Sequence, residues 1–97
     1  MLRIRFTRRA SRGLARIVEF NASSGTPRSA AIVDLIGSAI RVLADHPFVG
    51  RPVDERLREL VISHGKTGYV ALYSVDLVRG WVRVLAIRHQ REAGFAP

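Results

Sequence analysis

The apolar period of this 97-residue chain changes twice, and the order of the changes restricts the fold more than any other feature. It starts at two, passes to about 3.6, and returns to two. Leu2, Ile4 and Phe6 alternate with Arg3 and Arg5, which predicts a half-buried strand over Leu2–Phe6. Thr7 follows where a helix cap belongs. From Arg8 to about Ala22, Leu14, Ile17, Val18 and Asn21 share one helical face, and Arg8, Arg12, Arg16 and Glu19 share the other. Ser23-Ser24-Gly25-Thr26-Pro27 is a short break, with Thr26 as the next cap and Pro27 as the first helical residue. The second helix runs to about Asp45. Ile32, Ile36, Ala39, Ile40 and Leu43 form its core stripe, Asp34, Ser38, Arg41 and Asp45 its polar stripe, and Val33, Leu35 and Val42 widen the apolar side.

His46-Pro47 ends that helix, because a residue before proline is pushed out of the helical region. Phe48 to Arg56 reads as a loop. Strands are predicted at Arg58–Ser63, Tyr69–Val75 and Trp81–Arg88, with turns at His64–Gly68 and Asp76–Gly80 and a tail from His89 to Pro97. The order β-α-α-β-β-β implies an α+β fold, a helix hairpin packed on one face of a small, mostly antiparallel sheet. One domain spanning residues 1–97 accommodates it.

Charge gives the first hint of function. Sixteen Lys and Arg face eight Asp and Glu, for a net charge of +8 and a pI near 11.6. Such a domain is suited to an anionic partner: nucleic acid, an acidic protein or a membrane surface. Fifteen of the bases are arginine and Lys66 is the only lysine. A GC-rich genome accounts for arginine over lysine, but not for two bases per acid. With no cysteine, there is no disulfide framework, thiolate metal site or thiol nucleophile. No apolar run reaches the roughly 20 residues of a membrane span, and the N-terminus lacks a signal-peptide core. A cytoplasmic protein with no membrane partner is expected.

The candidate chemistry is cationic. The three histidines and eight acids show no metal-ligand spacing, no glycine-rich phosphate loop opens a helix, and no nucleophile elbow is present. No metal or cofactor is expected. His89 is flanked by Arg88 and Arg91, where an imidazole can act as acid or base, or can simply bond backbone at a strand end. Arg51, Arg56, Arg58, Arg83, Arg88 and Arg91 all fall on the C-terminal strands and loops, so a small sheet should bring them close. Guanidinium groups hold phosphates and stabilise phosphoryl charge. Tyr69, Tyr73 and Trp81 are either base-stacking aromatics or core. Arg8, Arg9, Arg12 and Arg16 crowd the start of the first helix against its dipole, as a solvated face or a partner surface.

Four segments resemble the RelE/ParE superfamily of toxins. His46-Pro47-Phe48-Val49-Gly50-Arg51-Pro52 is similar to the loop that follows the family's helix hairpin, and Arg58-Glu59-Leu60-Val61 to its next strand. Tyr69-Val70-Ala71-Leu72-Tyr73-Ser74-Val75 and Val84-Leu85-Ala86-Ile87-Arg88-His89-Gln90-Arg91-Glu92 resemble its last two strands. The resemblance implies a type II toxin–antitoxin toxin, neutralised by a cognate antitoxin, here expected to be a ribbon-helix-helix protein with an acidic C-terminal tail. Two activities occur in the superfamily: ParE-like poisoning of DNA gyrase, and RelE-like, metal-independent cleavage of mRNA on the ribosome. In the nuclease branch an arginine follows the first tyrosine of the penultimate strand; here that position is Val70. The ParE branch, associated with plasmid stabilisation and growth arrest, is therefore favoured. Should the nuclease reading hold, His89, Arg58, Arg88 and Arg91 are the expected catalytic set. Target or antitoxin contacts are expected at Arg8, Arg12, Arg16, Val33, Leu35, Val42, Arg51 and Arg83.

Overall fold

The structure, a computed structural model, describes residues 1–23, 29–64 and 67–91. Strand β1 spans Arg3–Phe6, helix α1 Arg8–Ser23, and helix α2 Ser29–Arg41, continued by a 3-10 turn at Val42–Ala44. Strands β2 (Arg51–Pro52), β3 (Leu57–His64), β4 (Thr67–Asp76) and β5 (Trp81–His89) follow. The sheet order is β1-β5-β4-β3-β2. β1 runs parallel to β5, and every other pairing is antiparallel. The expected element order and α+β class are thus present.

Three details differ from the sequence reading. The second helix keeps α geometry only to Arg41, and its last turn tightens to 3-10. Both Asp45 N–H and His46 N–H donate to the Val42 carbonyl, at 3.2 and 2.9 Å, which ends the helix just before Pro47. The loop from Phe48 to Arg56 contains a fifth strand, β2, pairing Arg51 with Glu59 and Pro52 with Arg58. Proline cannot donate to a ladder, so Pro52 confines this strand to the sheet edge. The first β-hairpin is also tighter than expected, since pairing continues to His64–Thr67. The predicted cap Thr26 and first helical residue Pro27 lie outside the described residues.

Residues paired directly across strands share a sheet face. Ile62, Tyr69, Ala71, Tyr73, Val82, Val84 and Ile87 face the helices and join Ala10, Ile17, Ile32, Ile36, Ile40 and Leu43 in one core. Thr7 fixes the start of α1 twice. Its hydroxyl accepts from Ala10 N–H at 3.1 Å and donates to the Leu85 carbonyl at 2.9 Å, tying the helix cap to β5. Gly13 then lets α1 lie almost in contact with the same strand, because a Cβ there would overlap the Ile87 carbonyl. In contrast, Gly37 in α2 has open space at its Cβ position.

The segment between α2 and β3 is pinned by a buried phenol. Tyr73 is fully buried, and its hydroxyl donates to the Pro47 carbonyl at 2.8 Å while accepting from Gly50 N–H at 2.9 Å. Burial pushes this phenol above its ordinary pKa, against the opposing effects of the Gly50 N–H and the Arg58 charge, so it stays a neutral donor. A side chain on Gly50 would collide with that hydroxyl and come within 2.7 Å of the Glu59 carbonyl oxygen.

These contacts predict opposite signs for two alanine substitutions. Gly13→Ala should destabilise by about 1–3 kcal/mol, by forcing α1 off β5. Gly37→Ala should stabilise by about 0.5–1 kcal/mol through helix propensity alone. Thermal melts of the two variants check both. Tyr73→Phe should cost about 1–3 kcal/mol in denaturant titrations, because Gly50 N–H and Pro47 C=O lose a buried partner.

Candidate functional site

The C-terminal arginines fall into two groups at opposite ends of the sheet. Arg58 opens β3 at the level of Tyr73, whereas His89 closes β5 at the level of Tyr69. Four residues of β4 separate those levels, about 13 Å along the strand. The expected catalytic set of Arg58, Arg88, His89 and Arg91 is therefore not gathered in one place.

At the first end, Arg58 is engaged with its own chain. One guanidinium nitrogen donates to the Gly50 carbonyl at 2.7 Å and to the Phe48 carbonyl at 3.0 Å. The guanidinium carbon lies 5.0 Å from the centre of the Phe48 ring. Arg58 thus helps Tyr73 hold the loop in place. Arg51 is exposed and pairs with Glu59 at 3.2 Å. An open depression adjoins this end, lined by Phe48, Leu57, Leu77, Val78 and Trp81 together with Arg56, Arg58, Arg79 and Arg83. Two carboxylates on its rim have their pKa lowered by the hydrogen bonds they accept. Asp54 accepts from the Arg56 and Leu57 N–H groups, and Asp76 accepts from Arg79 N–H and the Arg79 side chain.

At the other end, His89 meets Tyr69 edge to face, with ring centres 5.4 Å apart. Its Nδ1 accepts from Arg91 N–H at 3.1 Å, which fixes Nδ1 as the unprotonated nitrogen in this arrangement. Arg88 is paired with Val70 across the strands, so the two side chains share the face away from the helices. Val70 itself is 1% exposed. Arg88 donates to the carbonyls of His89 and Gln90, each at 3.2 Å.

The helix residues singled out by sequence divide similarly. Arg8, Arg12 and Arg16 are exposed on α1. On α2, Val33 is exposed and Leu35 packs against the core; Val42, in the 3-10 turn, is also exposed. Of the aromatics, Tyr69 and Tyr73 are core and offer no face to a base. Trp81 carries Arg5 over its ring at 4.2 Å and has Arg79 at 5.8 Å.

Sequence reasoning did not find the row formed by Arg3, Arg5 and Arg83. The alternation of β1 put Arg3 and Arg5 on one face, but the parallel pairing that sets Arg5 beside Arg83 joins segments far apart in sequence. Among the described residues, no group of three or more His, Cys, Asp or Glu is arranged to hold a metal ion. No described helix is long and apolar enough to cross a membrane.

Comparison with known proteins agrees with this fold. Residues 4–94 match the family described as ParE toxin of type II toxin-antitoxin system, parDE. The chain is 33% identical over 84 residues to Toxin RelE3 of Caulobacter vibrioides, covering 87% of this chain and 89% of that protein. Its backbone is similar to a chain from the chromosomal ParDE TA system of P. aeruginosa, with a TM-score of 0.73 and 20% identity, covering 91% of this chain and 95% of that one. The protein belongs to the ParE toxin family of type II toxin–antitoxin systems, within the RelE/ParE superfamily.

Proposed function

We propose that this toxin is ParE-like: it inhibits DNA gyrase by binding, in the cytoplasm, and is neutralised by a cognate antitoxin. The observation that carries the reading is Val70. At the strand position where the nuclease branch has an arginine, this chain has a side chain only 1% exposed, which cannot hold a scissile phosphate. Arg58 supports the same reading, since its guanidinium is committed to two loop carbonyls and stands far from His89. What remains is a rigid scaffold with exposed cations and exposed apolar side chains, the equipment of a binding protein.

For the antitoxin, we propose an acidic, amphipathic segment, the C-terminal tail of a ribbon-helix-helix protein. Arg8, Arg12 and Arg16 would steer it by charge, with Val33 and Val42 as apolar contacts.

A second reading rests on His89. Its imidazole, bonded by Arg91 N–H and next to Arg88, has the chemistry of an acid or base, and the alternative is ribosome-dependent cleavage of mRNA. Primer extension on messages from arrested cells separates the readings: uncut messages fit gyrase inhibition, and cuts within codons fit the nuclease.

Purified toxin added to gyrase and relaxed plasmid should block supercoiling or trap cleaved DNA. Undiminished supercoiling at excess toxin would sink the gyrase reading. Val42→Asp should raise the antitoxin Kd at least tenfold, a loss of about 1.4 kcal/mol, without lowering the melting temperature, because Val42 is 46% exposed. Titration calorimetry of the toxin–antitoxin pair measures it.

A further inference from the structure

We propose that the depression between the Phe48 loop and the turn after β4 is where the toxin grips its protein target, and that its occupant is an acidic segment of gyrase carrying a bulky apolar side chain. This inference rests on the gyrase reading and names the contact that reading requires. Phe48 lines the depression from the loop, and Leu77 and Val78 line it from the turn, together with Leu57 and Trp81. Phe48, Leu77 and Val78 are each more than half exposed. Burial of such side chains is favourable, so a partner that covers them gains what the fold leaves unused.

Both walls are fixed by the chain itself. On the loop side, the Tyr73 hydroxyl bonds Pro47 and Gly50, and Arg58 bonds the carbonyls of Phe48 and Gly50. On the turn side, Asp76 accepts from Arg79 N–H at 2.9 Å and from the Arg79 guanidinium at 2.9 Å. Gly80 closes that turn by donating to the Asp76 carbonyl at 2.9 Å, with a φ of 76° that favours glycine. Side chains presented by turns already ordered in this way lose little backbone freedom on binding.

The chemistry of the walls selects the occupant. An apolar lining takes an apolar anchor, and protein interfaces place such anchors at the centre of the contact. Asp54 and Asp76 are occupied by donors of their own chain. Among the described residues no ion pair holds Arg83, which lines the same depression and is exposed. Its guanidinium suits a carboxylate beside the anchor. The antitoxin contacts proposed above lie on α1, α2 and the 3-10 turn, outside this lining.

The test measures binding of purified toxin to gyrase without DNA, inhibition of supercoiling, antitoxin Kd and growth arrest on induction. Phe48→Ser and Leu77→Ser come from opposite walls, and each should weaken gyrase binding and inhibition at least about tenfold. Arg83→Glu should do the same, because it repels the carboxylate. Melting temperature and antitoxin Kd should stay unchanged in all three, and arrest should weaken. Undiminished gyrase binding in Phe48→Ser and Leu77→Ser would overturn the proposal, and undiminished binding in Arg83→Glu would show that the occupant is not acidic. A parallel rise in antitoxin Kd would assign the depression to the antitoxin and overturn it. So would a toxin that blocks supercoiling yet meets gyrase only when DNA is present. If the unaltered toxin leaves supercoiling intact, the gyrase reading fails, and with it gyrase as the occupant. Growth arrest then decides the surface: arrest lost in Phe48→Ser and Leu77→Ser with antitoxin binding intact retains the depression as the target contact, and arrest kept in both overturns it.

Discussion

The close approach of α1 to β5 is the contact on which the rest of the molecule depends. Thr7 ties the cap of the helix to the Leu85 carbonyl, and Gly13 removes the side chain that would hold the helix off Ile87. β5 is then free to be paired on both edges, by β1 and by β4. Part of the cationic surface is therefore placed by this strand. Arg83 lies on its outer face, Arg88 and His89 at its end, and Arg5 beside it on β1.

That arrangement separates the charges. A chain with twice as many bases as acids must either spread its cations or concentrate them where a partner will neutralise them. Here several are tied to their own backbone or to a nearby acid. Arg58 bonds the Phe48 and Gly50 carbonyls, Arg79 bonds Asp76, and Arg51 bonds Glu59. Arg3, Arg5 and Arg83 have no such neighbour among the described residues. The distribution suits a protein that acts by docking better than one that gathers an acid, a base and several cations around a single scissile bond.

Much of this fold is legible in the sequence, because local period and turn chemistry determine it. The Thr7 cap and the Ile32-Ile36-Ile40-Leu43 stripe survive in the structure, and so does a strand at Arg3–Phe6 with Ile4 half-buried between exposed Arg3 and Arg5, but Phe6, expected on the buried face, is 40% exposed. The sequence is silent where distant segments meet. Nothing in Arg51-Pro52 signals a two-residue edge strand, since its only support is the pairing with β3. Gly13 reads as an ordinary helix glycine until Ile87 is placed against it. The candidate site was read less well for the same reason. Arg58 and His89 are both strand residues in a small sheet, yet opposite ends of that sheet separate them. Val70 stands out in the sequence by its missing charge, and its burial is a property of the sheet alone.

The central claim is that this toxin works by binding and not by cutting RNA. The most direct measurement is growth after induction of His89→Ala, with antitoxin binding as the check that the variant is folded. A binding toxin predicts undiminished growth arrest, because the imidazole is engaged with its own chain, in a ring contact with Tyr69 and a bond from Arg91 N–H. Full loss of arrest in a variant that still binds its antitoxin would contradict the account and make His89 a catalytic residue.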